Sequence, residues 1–131
     1  MKDSIKELIR LEVEAIQNIP INDSFESAVN MIKHNIHDLH YGGKVVLSGM
    51  GKCGQIALNI ATTLSSTGTP AVYLHPSEAQ HGDLGVLCEN DVLILLSNSG
   101  KTREIIELIM LSRILQPDVK VISITGKTDS P

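Results

Sequence analysis

The strongest constraint in this sequence is a pattern that occurs twice: a short apolar run, a loop that contains glycine, and then apolar residues at helical spacing. The two units lie at 44–64 and 91–115, and further apolar runs stand at 71–74 and 119–124. Strands that alternate with helices in this way favour a parallel sheet covered on both faces. The pattern therefore predicts a three-layer, doubly wound α/β fold.

Two helices are predicted ahead of the first strand. Apolar residues recur at helical spacing over 3–19 and again from Phe25 to Leu39. Asp23 followed three residues later by Glu26 resembles a capping box, which predicts the start of the second helix. Gly42-Gly43 is predicted to end it.

Length and composition limit the architecture and the partners. A chain of 131 residues with 42% hydrophobic residues is expected to form one domain, with N-terminal helices at 1–41 and an α/β core at 42–131. A net charge of −4, two tyrosines and one phenylalanine argue against a nucleic-acid partner. Cys53 and Cys88 are too few for a disulfide framework and lack zinc-ligand spacing, so both are expected to be reduced.

No targeting or membrane segment is predicted. The N-terminus is charged from its second residue, and the longest apolar runs are far shorter than the roughly 18 residues of a membrane-spanning helix. We therefore expect a cytoplasmic protein without a membrane partner.

The first glycine loop fits the spacing of a dinucleotide fingerprint. Gly49, Gly51 and Gly54 follow a predicted strand and precede a predicted helix, as G-x-G-x-x-G requires. The acidic residue that would hold the ribose about 20 residues further on is missing, because Leu74-His75 occupies that position. A nicotinamide cofactor is thus a minor hypothesis, and a tight turn with close helix packing explains the glycines equally well.

The second loop predicts a site for a single phosphate. Its end, Ser99-Gly100-Lys101-Thr102, resembles the end of a Walker A loop, but the first glycine of that motif is replaced by Leu95. The hydroxyls of Ser97, Ser99 and Thr102, with the N–H groups from Gly100 onward, are suited to one phosphomonoester without a metal ion. The alternative is that Ser99 or Thr102 only caps the following helix.

Two other features of the N-terminal helices have competing explanations. His34, His37 and His40 recur every third residue, which suggests a metal site; the path drifts around the helix, however, and histidines also suit a helix C-terminus, so no metal site is predicted. The apolar face of the first helix packs either on a partner subunit or within the monomer.

Three segments together resemble one known family. They are Gly49-Met50-Gly51-Lys52, the run H-P-S-E-A-Q-H-G-D-L-G at 75–85, and Ser97-Asn98-Ser99-Gly100. In this order they resemble the sugar isomerase (SIS) domain, and within it the arabinose-5-phosphate isomerases, from about Leu11 to the C-terminus. The resemblance implies a flavodoxin-like or Rossmann-like arrangement of the sheet.

The resemblance also implies an activity. Its substrate would be a small phosphosugar, with ribulose 5-phosphate and arabinose 5-phosphate interconverted to supply an octulosonate precursor of lipopolysaccharide or capsule. No cofactor is implied, and a homo-oligomer, dimer or tetramer, is expected. The alternative is a non-catalytic SIS module that binds a phosphosugar or a sugar nucleotide for regulation.

Site residues carry over from the family by position. Lys52, His81 and Glu104 match residues implicated in catalysis. The implied phosphate ligands are Ser48, Gly51, Ser97, Ser99, Gly100 and Thr102, and the implied substrate contacts are His75 and Glu78. These residue types suit an aldose–ketose isomerisation, which needs a base, an acid and a positive charge beside an enediolate. For each catalytic residue the alternative is an ordinary surface role: a helix-dipole carboxylate, a solvated lysine or a loop histidine that only forms hydrogen bonds.

The sequence departs from the family in three places. Cys53 replaces a serine after the first glycine loop, and Lys101-Thr102-Arg103 is more basic than the usual stretch. The chain is also expected to lack the C-terminal part of the domain, which carries a further glutamate and histidine in the family isomerases.

Overall fold

The computed structural model describes residues 1–127 and contains a four-stranded parallel sheet in the order β2-β1-β3-β4. The strands are Val45–Gly49 (β1), Ala71–Tyr73 (β2), Val92–Ser97 (β3) and Lys120–Thr125 (β4). The α-helices are Lys2–Gln17 (α1), Asp23–Ile32 (α2), Lys52–Ser66 (α3), Pro76–Ala79 (α4) and Arg103–Leu115 (α5), with a π-helical turn at Lys33–Asp38 and a 3₁₀ turn at Asp83–Val86. The predicted parallel α/β fold is confirmed.

The two central strands are buried on both faces. Successive residues of β1 and β3 enter two separate apolar clusters, one beneath α3 and the π-helical turn, the other beneath α4 and α5. Val45 and Leu47 belong to the first cluster, whereas Val46 belongs to the second. This alternation explains why both strands read as continuous apolar runs in the sequence.

The strand order places a switch point between β1 and β3. The chain leaves β1 through α3 to reach β2 on one side, and it leaves β3 through α5 to reach β4 on the other. Gly49 is paired with Leu96 at the carboxyl ends of the two strands. The glycine loop at 49–54 and the loop at 97–102 therefore leave the sheet side by side. Ligands of open α/β sheets bind at this position.

A buried carboxylate aligns the other ends of the same two strands. Asp91 is 1% exposed and accepts hydrogen bonds from the Lys44 N–H at 2.8 Å, the Cys88 N–H at 2.8 Å and the Lys44 ammonium at 2.6 Å. All three donors reach Asp91 from segments next to β1 or β3. The contact therefore fixes the position at which the two strands begin to pair.

The boundaries of the second helix differ from the prediction. Asn22, not Asp23, is the N-cap: its side chain accepts the Ser24 N–H at 3.0 Å, so the predicted capping box is wrong. The α-helix ends at Ile32 and continues as the π-helical turn. The glycine pair follows that turn, and the N–H of Gly43 donates to the Asn35 carbonyl at 3.0 Å.

The first helix is not buried by the rest of the chain. Its apolar residues Ile5, Leu8, Ile9 and Ile16 are 50–66% exposed. On its polar side, Arg10 pairs with Glu7 and Glu14 at 2.8 and 2.9 Å. Within residues 1–127, no helix is long and apolar enough to cross a membrane.

The Asp91 contact makes a testable prediction about stability. In Asp91→Asn one carboxylate oxygen becomes an NH₂ group, which cannot accept from the Lys44 and Cys88 donors. We expect the free energy of unfolding to fall by about 2–4 kcal/mol, since the variant leaves buried donors unpaired. Urea unfolding measures the change. The exposed Asp118, changed to Asn in the same way, is the control, and equal effects in the two variants would contradict the assignment.

Candidate active site at the carboxyl edge of the sheet

The loop after β3 folds into a turn held together by its own hydroxyls. Ser97 Oγ accepts the Gly100 N–H at 3.1 Å and lies 2.8 Å from Thr102 Oγ1. Ser99 Oγ accepts the Lys101 N–H at 3.1 Å. Gly100 has a φ of +66°, a left-handed conformation that a glycine adopts without strain. We call residues 97–102 the hydroxyl turn.

The hydroxyl turn is more than a helix cap. Thr102 occupies the N-cap position of α5, yet its side chain makes no capping hydrogen bond and contacts Ser97 instead. The Ser97 and Thr102 hydroxyls have two protons between them, and their mutual contact uses one. One O–H therefore stays available to a ligand. Because Ser97 is only 4% exposed while Thr102 is half-buried, the available proton is best placed on Thr102.

The start of α5 adds positive potential at the same place. The first N–H groups of an α-helix have no acceptor within the helix and carry its positive dipole end. The Ser99 hydroxyl, which is exposed, adds another donor at the turn. The N–H groups of Gly100 and Lys101, which the sequence predicted as phosphate donors, are engaged within the turn, so the donors left for a ligand are hydroxyls of the turn and the first N–H groups of α5.

Close packing explains the glycines of the first loop. A Cβ on Gly54 would lie 2.6 Å from the Gly49 carbonyl oxygen and 2.8 Å from the Tyr73 hydroxyl. Gly51 has a φ of +57° and precedes α3 directly. Tyr73 donates to the Gly49 carbonyl at 3.0 Å, and burial raises the pKa of this phenol. These contacts hold the loop in a fixed path that ends at Lys52.

The hydroxyl of Ser48, a predicted phosphate ligand, is already engaged by the backbone. Its side chain is completely buried, and its hydroxyl donates to the Leu74 carbonyl at 2.6 Å. This bond ties the end of β1 to the segment after β2. Ser48 follows Val46 by two residues and so shares its buried face, which the alternation of side chains along a strand indicates.

The three predicted catalytic residues lie on separate segments at one edge of the sheet. Lys52 begins α3 after β1, Glu104 lies in the first turn of α5 after β3, and His81 follows α4 after β2. Lys52 and His81 are exposed and Glu104 is half-buried. No hydrogen bond or ion pair within residues 1–127 engages the side chain of any of the three. All three remain accessible to a ligand at this edge.

The segment that begins at His75, predicted to be a loop, contains the short helix α4. His75 is the N-cap of the short helix α4, where its Nδ1 accepts the Ser77 N–H at 3.3 Å. This contact places the proton of a neutral His75 on Nε2, which can then donate to a ligand oxygen. Glu78 lies in the first turn of α4 and is exposed.

The three histidines of the second helix do not converge. His37 Nε2 lies 3.1 Å from Thr69 Oγ1, and His40 makes an edge contact with the ring of Tyr41. Within the part of the chain that the structure describes, no group of three or more His, Cys, Asp or Glu residues is placed to hold a metal ion.

Two contacts near the predicted site residues were not predicted from the sequence. One is Tyr73, whose position beside a glycine loop is set by strand pairing and gives no local sequence motif. The other joins Gln80 to Glu107, 27 residues further along the chain, and Glu107 in turn to Arg103. The one indication of these contacts in the sequence was the (i, i+4) spacing of Arg103 and Glu107.

The model of the SIS domain family matches residues 38–131. The chain is 42% identical over 126 residues to the arabinose 5-phosphate isomerase KdsD of Francisella tularensis, covering 95% of this chain and 37% of that protein. It is 41% identical over 128 residues to the arabinose 5-phosphate isomerase GutQ of Escherichia coli K12, covering 96% of this chain and 37% of that protein.

Two solved structures are also similar. A Bacteroides fragilis protein, provisionally named a phosphosugar isomerase involved in capsule formation, is 60% identical with a TM-score of 0.97. The match covers 100% of this chain and 67% of that one. An Escherichia coli CFT073 protein in complex with arabinose 5-phosphate is 38% identical with a TM-score of 0.79, and the match covers 98% of this chain and 65% of that one. The chain thus spans about 37% of the length of the curated relatives it matches.

The glycine contacts predict that two Gly→Ala substitutions differ strongly in their effect on the free energy of unfolding. Gly54→Ala puts a methyl group against a backbone carbonyl, so we expect the free energy of unfolding to fall by about 1–3 kcal/mol. Gly85→Ala is the matched control, because nothing lies within 4 Å of a Cβ built there. Urea unfolding compares them, and a Gly54→Ala variant as stable as Gly85→Ala would show that the loop does not need its close approach.

Proposed function

This chain belongs to the SIS domain family, and on that premise we propose that it binds a phosphosugar and takes part in interconverting ribulose 5-phosphate and arabinose 5-phosphate. The hydroxyl turn is the observation that carries the proposal. Its donors, together with the start of α5, are suited to one phosphate group. The relatives named arabinose 5-phosphate isomerase support the choice of sugar. A role in supplying a precursor of capsule or lipopolysaccharide is part of the same proposal.

The phosphate ligands follow from the geometry of the turn. Either hydroxyl of the Ser97–Thr102 pair can donate to the other, and in the proposal Thr102, the more exposed of the two, donates the remaining proton to the phosphate. Ser99 donates from the exposed side of the turn. Gly51 contributes through the backbone at the start of the neighbouring helix. We leave Ser48 out of this set, since its hydroxyl is buried and bonded to Leu74.

The chemistry needs three kinds of group at the sugar end. A base removes a proton from a carbon beside the carbonyl and returns it to the neighbouring carbon, through an enediolate with negative charge on oxygen. Of Glu104 and His81, one supplies the base and the other acts as the acid that moves the hydroxyl proton between the two oxygens, and the ammonium of Lys52 stabilises the negative oxygen. His75 and Glu78 contact the sugar hydroxyls. The proposed reaction uses no cofactor.

Two further parts of the proposal concern the protein as a whole. The exposed apolar face of α1 is proposed to pack on a second copy of the chain, because an apolar stripe of this size is costly to leave in water. A cytoplasmic location is proposed as well, where small phosphosugars are found.

Turnover is the direct test of the enzyme. We expect the protein to convert ribulose 5-phosphate to arabinose 5-phosphate, and Lys52→Ala, His81→Ala and Glu104→Gln each to lower kcat by about 100-fold or more. His34→Ala and Glu12→Gln are the matched controls, since both residues are exposed and lie outside the site. A Glu104→Gln/His81→Ala double variant with the wild-type rate would refute the catalytic assignment.

Deuterium exchange identifies which residue is the base. The C5 oxygen of ribulose 5-phosphate carries the phosphate, so this ketose stays open-chain and enolisation needs no ring opening. Glu104→Gln and His81→Ala are compared in D₂O. The variant that lacks the base should stop incorporating deuterium at C1 of ribulose 5-phosphate, and the other should continue. Stabilisation by phosphosugars without turnover or exchange would instead favour the non-catalytic binding module.

The subunit contact has its own test. Ile9→Glu places a charge in the apolar stripe of α1, and we expect it to lower the mass measured by light scattering to that of a monomer. Lys6→Glu, also on α1, is the control and should leave the mass unchanged. A wild-type protein that is already monomeric would rule out this role for the helix.

A further inference from the structure

A single carboxylate joins the two segments that hold His81 and Glu104. Glu107 Oε2 accepts from the Gln80 amide at 2.8 Å, and Glu107 Oε1 accepts from Arg103 Nε at 2.6 Å. Gln80 ends α4 and directly precedes His81. Arg103 begins α5 and directly precedes Glu104.

Besides its local backbone hydrogen bonds, the segment around His81 is held by the packing of the preceding turn. Ala79, on the preceding turn, is buried against Ile105 and Leu108, which anchors α4. After it, His81 is exposed and Gly82 has a φ of +124°. Among residues 1–127, no second side-chain hydrogen bond joins the segment 76–87 to α5.

The contact is charge-assisted but lies at the surface. Arg103, and then Gln80, lower the pKa of the Glu107 carboxyl, so this group is ionised and accepts both bonds near neutral pH. The Arg103 side chain is 85% exposed and that of Glu107 is 27% exposed. Exposed pairs of this kind add little to the stability of a fold. We therefore expect the Glu107 contacts to affect the local geometry around Gln80 and His81 and not the stability of the fold.

We propose that Glu107 is a positioning residue that, through Gln80 and Arg103, holds His81 at a fixed place relative to Glu104. The inference rests on the proposed isomerase function. Proton transfer at adjacent carbons tolerates little displacement, and a shift of about 1 Å can cost a large part of the rate. Because the phosphate is held by the hydroxyl turn, loss of the contact changes kcat and leaves phosphosugar binding in place.

Kinetics on the intact protein test the positioning role. For Glu107→Ala and Gln80→Ala we expect kcat to fall by about tenfold and KM to stay within about twofold of wild type. The double variant should lose no more than either single one, since both break the same contact. Glu107→Gln keeps one acceptor oxygen and should recover part of kcat. Glu14→Ala, which removes one of the two exposed ion pairs of Arg10 on α1, is the matched control.

Amide hydrogen exchange tests the same contact without turnover. The N–H groups of His81 and Gly82 donate to Glu78 and Ala79, at 2.9 and 3.4 Å. In Glu107→Ala they should exchange about fivefold faster or more, while Tm moves by no more than about 2 °C. Unchanged exchange would overturn the inference whether or not the protein isomerises the sugar. An inactive wild type with faster exchange in the variant would instead overturn the proposed function and leave the contact in place.

Discussion

The register between β1 and β3 is the constraint on which the candidate site depends, and Asp91 sets it from the far end of the sheet. The two strands are parallel. The pairing that begins at Val45 and Val92 therefore also decides which residues lie side by side at the carboxyl ends of the strands. A shift of one residue would turn every side chain of a strand to the other face. The glycine loop and the hydroxyl turn would then be offset by about 3.3 Å along the strands. A buried ion pair with three donors thus controls geometry at the other end of the strands.

Much of the fold was predictable because local patterns and tertiary packing agree. The strands β1 and β3 are continuous apolar runs since helices cover both of their faces, and the glycine loops mark the places where each chain turns into a helix. The features that were not predicted depend on distant partners. The π-helical turn follows from packing at the glycine pair and the neighbouring core, and Asn22 competes with Asp23 for the same cap. Such differences in free energy are too small to read from residue types alone.

The candidate site likewise contains residues that could be identified from the sequence and residues that only the fold brings together. The hydroxyl turn is local, so its residues could be identified from spacing and the structure adds the direction of its hydrogen bonds. Ser48 was predicted as a ligand from its place in the sequence, and the structure adds that its buried hydroxyl bonds to the Leu74 carbonyl. Lys52, His81 and Glu104 share an edge of the sheet owing to strand order, which no local motif contains. Their neighbours Tyr73 and Glu107 act through contacts between elements that only the fold brings together.

The paired hydroxyls of Ser97 and Thr102 have a consequence for what the turn accepts. Whichever of the two hydroxyls donates, their mutual contact uses one of the two protons and leaves the other for a ligand. The turn therefore offers an uncharged O–H donor, beside the N–H groups at the start of α5, to a group that accepts hydrogen bonds, such as a phosphate.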